Sequence, residues 1–359
     1  MASDIRRLRP HRSFGLDLIR ATAIVLVLVS HFSKKLDGLG FWGVELFFVL
    51  SGYLIGQILW RNYSVSDQWR IRNLINFWSR RWWRTLPNYY LFLVVMIIFH
   101  YFLKPPVPKF STITDFFWFG QNLLSRNQGF YSVSWSLCIE EWFYLLFPFF
   151  LLVFSKLGCG IKTSFIATLI IFLLSSVVIR YYLVKADADH IRMITLARLD
   201  SICFGVLVAF ISSVVTVTLK IRRVVFAIGA AILLTLFVAI VCLGISFSQL
   251  SKNQYLLFLI PLSLSLLLPL ASVLASPVGR YQGLAVSVER LSLWSYSIYL
   301  SHIPIMFTIY ALMDQLRDNM VWNMISKIIA LGVTILISRY IFNFFEVPLT
   351  RRRPKEVIS

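Results

Sequence analysis

Arg20–His31 reads RATAIVLVLVSH: an arginine and a histidine enclose ten residues of which only Thr22 and Ser30 are polar. Eleven residues make about three helical turns, so both groups point the same way, about 16 Å apart along the axis. An ionisable group inside an apolar span is costly and faces a cavity or a partner. Taken singly, Arg20 reads as a snorkelling residue beside Asp17 and His31 as a packing residue near the surface. Their shared face favours a common cavity.

The surrounding sequence requires a membrane. Hydrophobic residues make up 58% of the chain and charged residues only 14%, too few for a soluble protein of 359 residues. Ten segments are long enough to span, approximately 15–33, 41–60, 87–104, 135–155, 163–184, 197–218, 223–246, 254–275, 291–313 and 323–345. The shorter apolar stretch 113–124 reads as re-entrant or interfacial. The expected fold is therefore all-α, a polytopic membrane helical bundle of about ten transmembrane helices. A basic cytoplasmic tail (1–14) precedes a single transmembrane domain (15–346), and a second basic tail (347–359) follows it.

The net charge of +19 lies mainly in the short segments between apolar runs. That pattern is a topology signal rather than a nucleic-acid surface. Arg6, Arg7, Arg9 and Arg12, the arginines from Arg61 to Arg84, and Arg351, Arg352, Arg353 and Lys355 all fall on one face when ten spans alternate. That face is assigned to the cytoplasm, with both termini on it. Lysines 34, 35, 104 and 109 fall on the other face. The four cysteines, Cys138, Cys159, Cys203 and Cys242, show no paired spacing, and neither a disulfide framework nor a metal site is expected. No cleavage pattern follows the first apolar core, so the first span is expected to be retained.

Depth sorts the remaining polar residues. Glu45, in GVELFFVLSGYLIG, lies at a depth similar to His31 and can fix its tautomer. Ser51, Gly52 and Tyr53 lie near mid-membrane, where small residues permit close helix packing. RRWWRTLP offers Arg80 or Arg81 with Arg84 on one helix face, a geometry suited to phosphate; its plainer reading is an interfacial helix. Glu140 and Glu141, in WSLCIEEWFYLLFP, lie five or six residues into span four and diverge by about 100°, so at most one faces a given cavity. Arg198 and Asp200 stand at the mouth of span six, and Glu346 at the inner end of span ten; an interfacial ion pair is the plain reading for each. Tyr299 and His302 lie near the middle of span nine, where the histidine needs a polar partner. Acid–base groups thus collect in the outer half and arginines at the inner face. That arrangement fits an anionic donor entering from the cytoplasm and a base acting further out.

The ordered set LDLIRATAIVLVLVSHF, GFWGVELFFVLSGYLIG, FWSRRWWRTLPNYY, WSLCIEEWFYLLFP, RLDSICFG, SYSIYLSHIPI and FEVPLTRR resembles acyltransferase family 3, integral membrane proteins that include many bacterial surface-polysaccharide O-acetyltransferases. The resemblance covers nearly the whole chain. It implies transfer of an acyl group, acetyl as the usual case, from cytoplasmic acyl-CoA (acetyl-CoA) to a glycan hydroxyl at or beyond the outer face. By position, Arg20 and His31 match the family's essential pair, Arg80, Arg81 and Arg84 its arginine motif, and Trp135, Ser136 and Glu140 its W-S-L-x-x-E. Cys138 stands where serine is common, Glu45 where aspartate is usual, and Ser301 where tryptophan often precedes the histidine. Some relatives carry a fused esterase-like domain; this chain, ending at Ser359, is expected to be the stand-alone form.

On that resemblance, His31 is expected to act as general base on the sugar hydroxyl, oriented by Glu45 or Glu140. Arg20 steadies the donor or the developing oxyanion, and Arg80, Arg81 and Arg84 hold CoA phosphates. Ser136, Trp135, Arg198, Asp200, Tyr299 and His302 give substrate or structural support. An acyl-enzyme on Ser51, Ser136 or a histidine is the mechanistic alternative. The expected acceptor is a glycan or lipid-linked oligosaccharide, lipopolysaccharide O-antigen first among them. The expected location is the bacterial inner membrane, with membrane lipid and no nucleic acid among the partners. The competing class is a proton-coupled transporter of a glycan or lipid.

Overall fold

The computed structural model describes residues 13–65, 69–104, 108–124, 129–316 and 318–357, all in helices, turns and connecting loops. The basic segment with Arg6, Arg7, Arg9 and Arg12 lies outside the described residues. The long helices are α1 (Phe14–Phe32), α2 (Leu39–Val65) and α3 (Ile71–Phe102), then, after the short α4 (Phe110–Phe117), α5 (Trp135–Lys156) and α6 (Ile161–Lys185). Next come α7 (Leu199–Val214), α8 (Leu219–Cys242), the short α9 (Phe247–Lys252), α10 (Gln254–Ser265), α11 (Leu268–Ala271), α12 (Gln282–Leu312) and α13 (Met320–Ile341). A π-helical turn, Phe342–Glu346, leads into α14 (Val347–Arg351).

Among the described residues, eight helical segments are long and apolar enough to cross a membrane. The chain is a multi-pass membrane protein. The two other expected spans are also helical, and each departs for a local reason. α7 is shorter, at 16 residues. α12 has 31 residues, but serines, tyrosines and His302 along it lower its apolarity. Its polar side chains meet α1: Ser292 bonds Asp17 and Arg20, and ten residues on His302 packs against His31. α1 and α12 therefore run parallel and in register, as alternation of ten spans requires.

The third span differs most from expectation. RRWWRTLP lies near the middle of one continuous 32-residue helix and is not a separate interfacial segment. Pro87 sits inside this helix at the cost of one backbone hydrogen bond. The 254–275 span breaks between α10 and α11.

The closest helix crossing joins α2 to α7. A Cβ on Gly52 would strike the carbonyl of Ile202, and one on Gly205 that of Val49. Within a bilayer, where water provides no hydrophobic drive between helices, such close contact holds them by van der Waals packing. The 113–124 stretch tucks into the bundle. Tyr89 and Trp142 donate hydrogen bonds to the carbonyls of Phe116 and Phe119 at 2.8 and 3.0 Å, and Gln121 and Asn122 are buried. Irregular backbone at depth needs such partners.

Candidate active site

One cavity of about 610 Å³ enters the bundle at its arginine-rich end. Its outer wall carries Arg61 from α2, Arg80, Arg81 and Arg84 from α3, and Arg353 and Glu356 from the segment after α14. The long α3 places its three arginines on the cavity because 80 and 84 are one turn apart and 81 leans toward α5. There the Arg81 guanidinium lies 5.7 Å from the Tyr144 ring centre and 5.9 Å from that of Phe77. A guanidinium over an aromatic face keeps its donors directed sideways, toward the cavity.

Halfway in, α1 and α12 supply Asp17, Arg20 and Ser292. The Ser292 hydroxyl donates to Asp17 Oδ1 at 2.7 Å and accepts from Arg20 Nη1 at 3.4 Å. Arg20 also lies 3.7 Å from Asp17. Arg20 therefore neither snorkels nor stands alone; it is braced on its own helix and on α12, with its head on the cavity. Glu140 faces the same space and accepts from the Tyr144 hydroxyl at 3.1 Å, while that hydroxyl also bonds Ser51. Glu141 is buried away from the cavity, as the divergence of adjacent helical residues demands. Glu346 reaches the cavity because the π-turn adds a residue to the helical path; it accepts from Asn88 at 2.9 Å and Ser297 at 2.7 Å. Glu346, expected at the inner interface, thus lies on the cavity as a hydrogen-bonded carboxylate.

The inner end of the cavity is closed by two hydroxyls, Ser136 Oγ and Tyr299 Oη, 2.6 Å apart and both within reach of the Val133 carbonyl. Immediately beyond lie the histidines. The His302 ring centre is 5.9 Å from that of Tyr299 and 4.9 Å from that of His31, in an edge-to-face arrangement. Each Nδ1 faces the carbonyl one turn back, at 2.9 Å from Val27 for His31 and 3.1 Å from Ile298 for His302. A carbonyl can only accept, so each Nδ1 carries the proton and each neutral ring keeps its lone pair on Nε2. His302 is fully buried and its Nε2 has no hydrogen-bond partner among the described residues. His31 is exposed at the end of α1.

Glu45 is placed differently from expectation. Its carboxylate lies 2.5 Å from Arg198 Nη2 and 3.8 Å from Arg192 Nε, all fully or almost fully buried, and it makes no hydrogen bond to His31. Arg198 and Asp200 are not an interfacial pair either. Asp200 binds Arg180 of α6 at 2.7 Å, while Arg198 also donates to Ser201 and to the Leu257 carbonyl. Residues two apart on a helix do not face each other, which separates their partners. Trp135 joins this cluster to the cavity wall. Arg192 stacks on its ring at 4.8 Å, and its neighbour Ser136 lines the cavity.

Arg180 and Arg192 were not among the expected site residues. An arginine inside the apolar run 163–184 is itself a signal; Arg192, in a loop, is legible only from its partners. Glu356 is likewise silent in sequence. Among the described residues no group of three metal-ligating side chains converges.

No solved structure matches the chain. Among relatives, it is 29% identical to the peptidoglycan O-acetyltransferase OatA of Listeria monocytogenes, over 94% of this chain and 56% of that protein. It is 27% identical to the O-acetyltransferase OatA of Staphylococcus aureus, over 94% of this chain and 57% of that protein. It is 28% identical to the putative peptidoglycan O-acetyltransferase YrhL of Bacillus subtilis, over 93% of this chain and 54% of that protein. The chain thus spans little more than half the length of these relatives. The family model of the acyltransferase domain matches residues 13–343, nearly all of the bundle just described. The chain therefore belongs to acyltransferase family 3.

Proposed function

We propose that this chain is a membrane O-acyltransferase that takes an acyl group, acetyl first, from acyl-CoA at its arginine-rich face. It delivers that group to a hydroxyl of a cell-surface glycan at the opposite face. The observation that carries this reading is the continuity of the site: one cavity runs from Arg80, Arg81 and Arg84 past Arg20 to Ser136 and Tyr299, one ring short of His302 and His31. Guanidinium groups bind phosphate strongly and bidentately. A thioester held by such groups points its acyl end inward.

In this mechanism the His31 Nε2 lone pair takes the proton as the sugar oxygen attacks the thioester carbonyl. The new C–O bond replaces the C–S bond, and CoA leaves as the thiolate, which receives a proton. The Val27 carbonyl, rather than Glu45, fixes the His31 tautomer. Glu45 instead pairs with the buried Arg198 and Arg192 and holds the bundle. Arg20, or the Tyr299 and Ser136 hydroxyls, stabilise the oxyanion. Glu140 and Tyr144 hold the cavity wall, and Arg198 and Asp200 hold the bundle. Family membership favours this enzyme over a transporter.

The relatives' names favour peptidoglycan as the first acceptor to test, ahead of O-antigen. Mass spectrometry of surface glycans from cells with and without the chain tests the reading. An added acetyl mass that requires both the chain and His31 is expected. Unchanged glycans of every class, with the chain present and folded, would refute it.

A further inference from the structure

The outer mouth of the cavity is crossed by the chain's own segment 354–357. Its backbone is pinned to the start of α3: Arg80 Nη1 donates to the Pro354 carbonyl at 2.7 Å, Asn76 Nδ2 donates to the Lys355 carbonyl at 2.9 Å, and Val357 N donates to Asn76 Oδ1 at 3.2 Å. These bonds deliver the Glu356 carboxylate between two helices. One oxygen is 2.6 Å from Arg61 Nη2 on α2, and the other is 3.7 Å from Arg80 Nη2 on α3. Arg61, Arg80, Arg353 and Glu356 all line the cavity. A carboxylate bridged by two guanidinium groups occupies the geometry in which arginines take a phosphate.

From these contacts we infer that Arg61 and Arg80 form an outer anion site for a second, separate phosphate of the donor, and that Glu356 is an intramolecular competitor for it. This rests on the acyl-CoA reading above. CoA carries its 3′-phosphate apart from its pyrophosphate, and the cavity carries two arginine groups, Arg81 and Arg84 within and Arg61 and Arg80 at the rim. The inner group is free of the strap. The outer group is held by Glu356, so the donor's outer phosphate enters by exchanging with that carboxylate. Burial alone would raise the Glu356 carboxyl, but hydrogen bonds from Arg61 and Asn62 and the charge of Arg80 hold it below its ordinary value. It is therefore an anion at neutral pH. Arg61 is more than half exposed, so the pair is worth little to the fold and opens readily. Competition by a side chain of this kind weakens ligand binding without blocking it.

The test is binding of CoA and of adenosine 3′,5′-bisphosphate to the purified full chain in detergent, by calorimetry. Glu356→Gln is expected to tighten both by about 1.5- to fivefold, the range an exposed ion pair supplies. Arg61→Gln added to Glu356→Gln is expected to remove the gain. Dephospho-CoA, which lacks the 3′-phosphate, is expected to bind wild type and Glu356→Gln alike. Equal binding of CoA by wild type and Glu356→Gln overturns the competitor while leaving the donor reading intact. Absence of CoA binding by a folded wild-type chain overturns both. Equal gains for CoA and dephospho-CoA overturn the assignment of the 3′-phosphate to this site.

Discussion

Two groups of arginines lie in this bundle, and they differ in how they are satisfied. Arg180, Arg192 and Arg198 are sealed between helices with Asp200 and Glu45, at 2.7 Å for Arg180–Asp200 and 2.5 Å for Arg198–Glu45. Arg80, Arg81 and Arg84 face a cavity of about 610 Å³ and meet aromatic rings, a carbonyl and a tail carboxylate. The first group is closed, and each carboxylate in it has a guanidinium of its own. The second is open to the cavity: Arg80 is held by a tail carbonyl and carboxylate, and Arg81 and Arg84 face the space itself. An arginine deep in a membrane protein is therefore not by itself a substrate ligand; pairing separates the two kinds. Trp135 is where they touch, with Arg192 stacked on its ring and Ser136 next to it on the cavity.

The sharpest contrast is between His31 and Glu45, which sequence alone places at one depth. His31→Ala is expected to lower acyl transfer by about 10²–10⁴-fold, the range of general-base catalysis, with the thermal midpoint in detergent unchanged. Glu45→Ala is expected to act on the fold. It strands buried arginines, a loss of about 3–5 kcal/mol, read as a lower thermal midpoint and less folded protein. If Glu45→Ala instead stays folded and loses only turnover, Glu45 belongs to the catalytic group and the division fails.

Smaller effects sharpen the same division. Arg84→Gln is expected to weaken CoA binding by about 10–100-fold, from the loss of a charged hydrogen bond of roughly 1.5–3 kcal/mol, with stability retained. Asp200→Asn, in the sealed group, is expected to leave CoA affinity unchanged and to lower the thermal midpoint. Both are measured by calorimetry and thermal unfolding of the same preparations. Glu346→Gln keeps an acceptor for Asn88 and Ser297, so it is expected to cost about 1 kcal/mol or less. A loss of CoA binding there would give Glu346 a direct role.

Much of this was legible in the sequence because helical geometry is local. The eleven-residue spacing of Arg20 and His31 predicts one shared face, and both indeed meet α12, at Ser292 and His302. Glu140 and Glu141 diverge as their adjacency requires. All ten expected segments are helical, eight of them long and apolar enough to cross a membrane, and the small residues around Gly52 pack closely, as expected. Partner choice is tertiary and was not legible. Nothing local says that Glu45 meets Arg198, 153 residues away, rather than His31. The π-turn that swings Glu346 inward and the fold-back that brings Glu356 to Arg61 leave no periodic trace. Arg180 was within reach, as an arginine inside an apolar span.

The most direct test of one site spanning the bundle uses purified chain in proteoliposomes with acetyl-labelled acetyl-CoA and a peptidoglycan fragment as acceptor. Wild type and His31→Ala are compared at equal folded amounts, with CoA binding measured in parallel. The account predicts acceptor labelling by wild type, its loss by at least about 100-fold in His31→Ala, and equal CoA binding by the two. Labelling by His31→Ala at the wild-type rate would contradict it, and so would loss of CoA binding together with turnover.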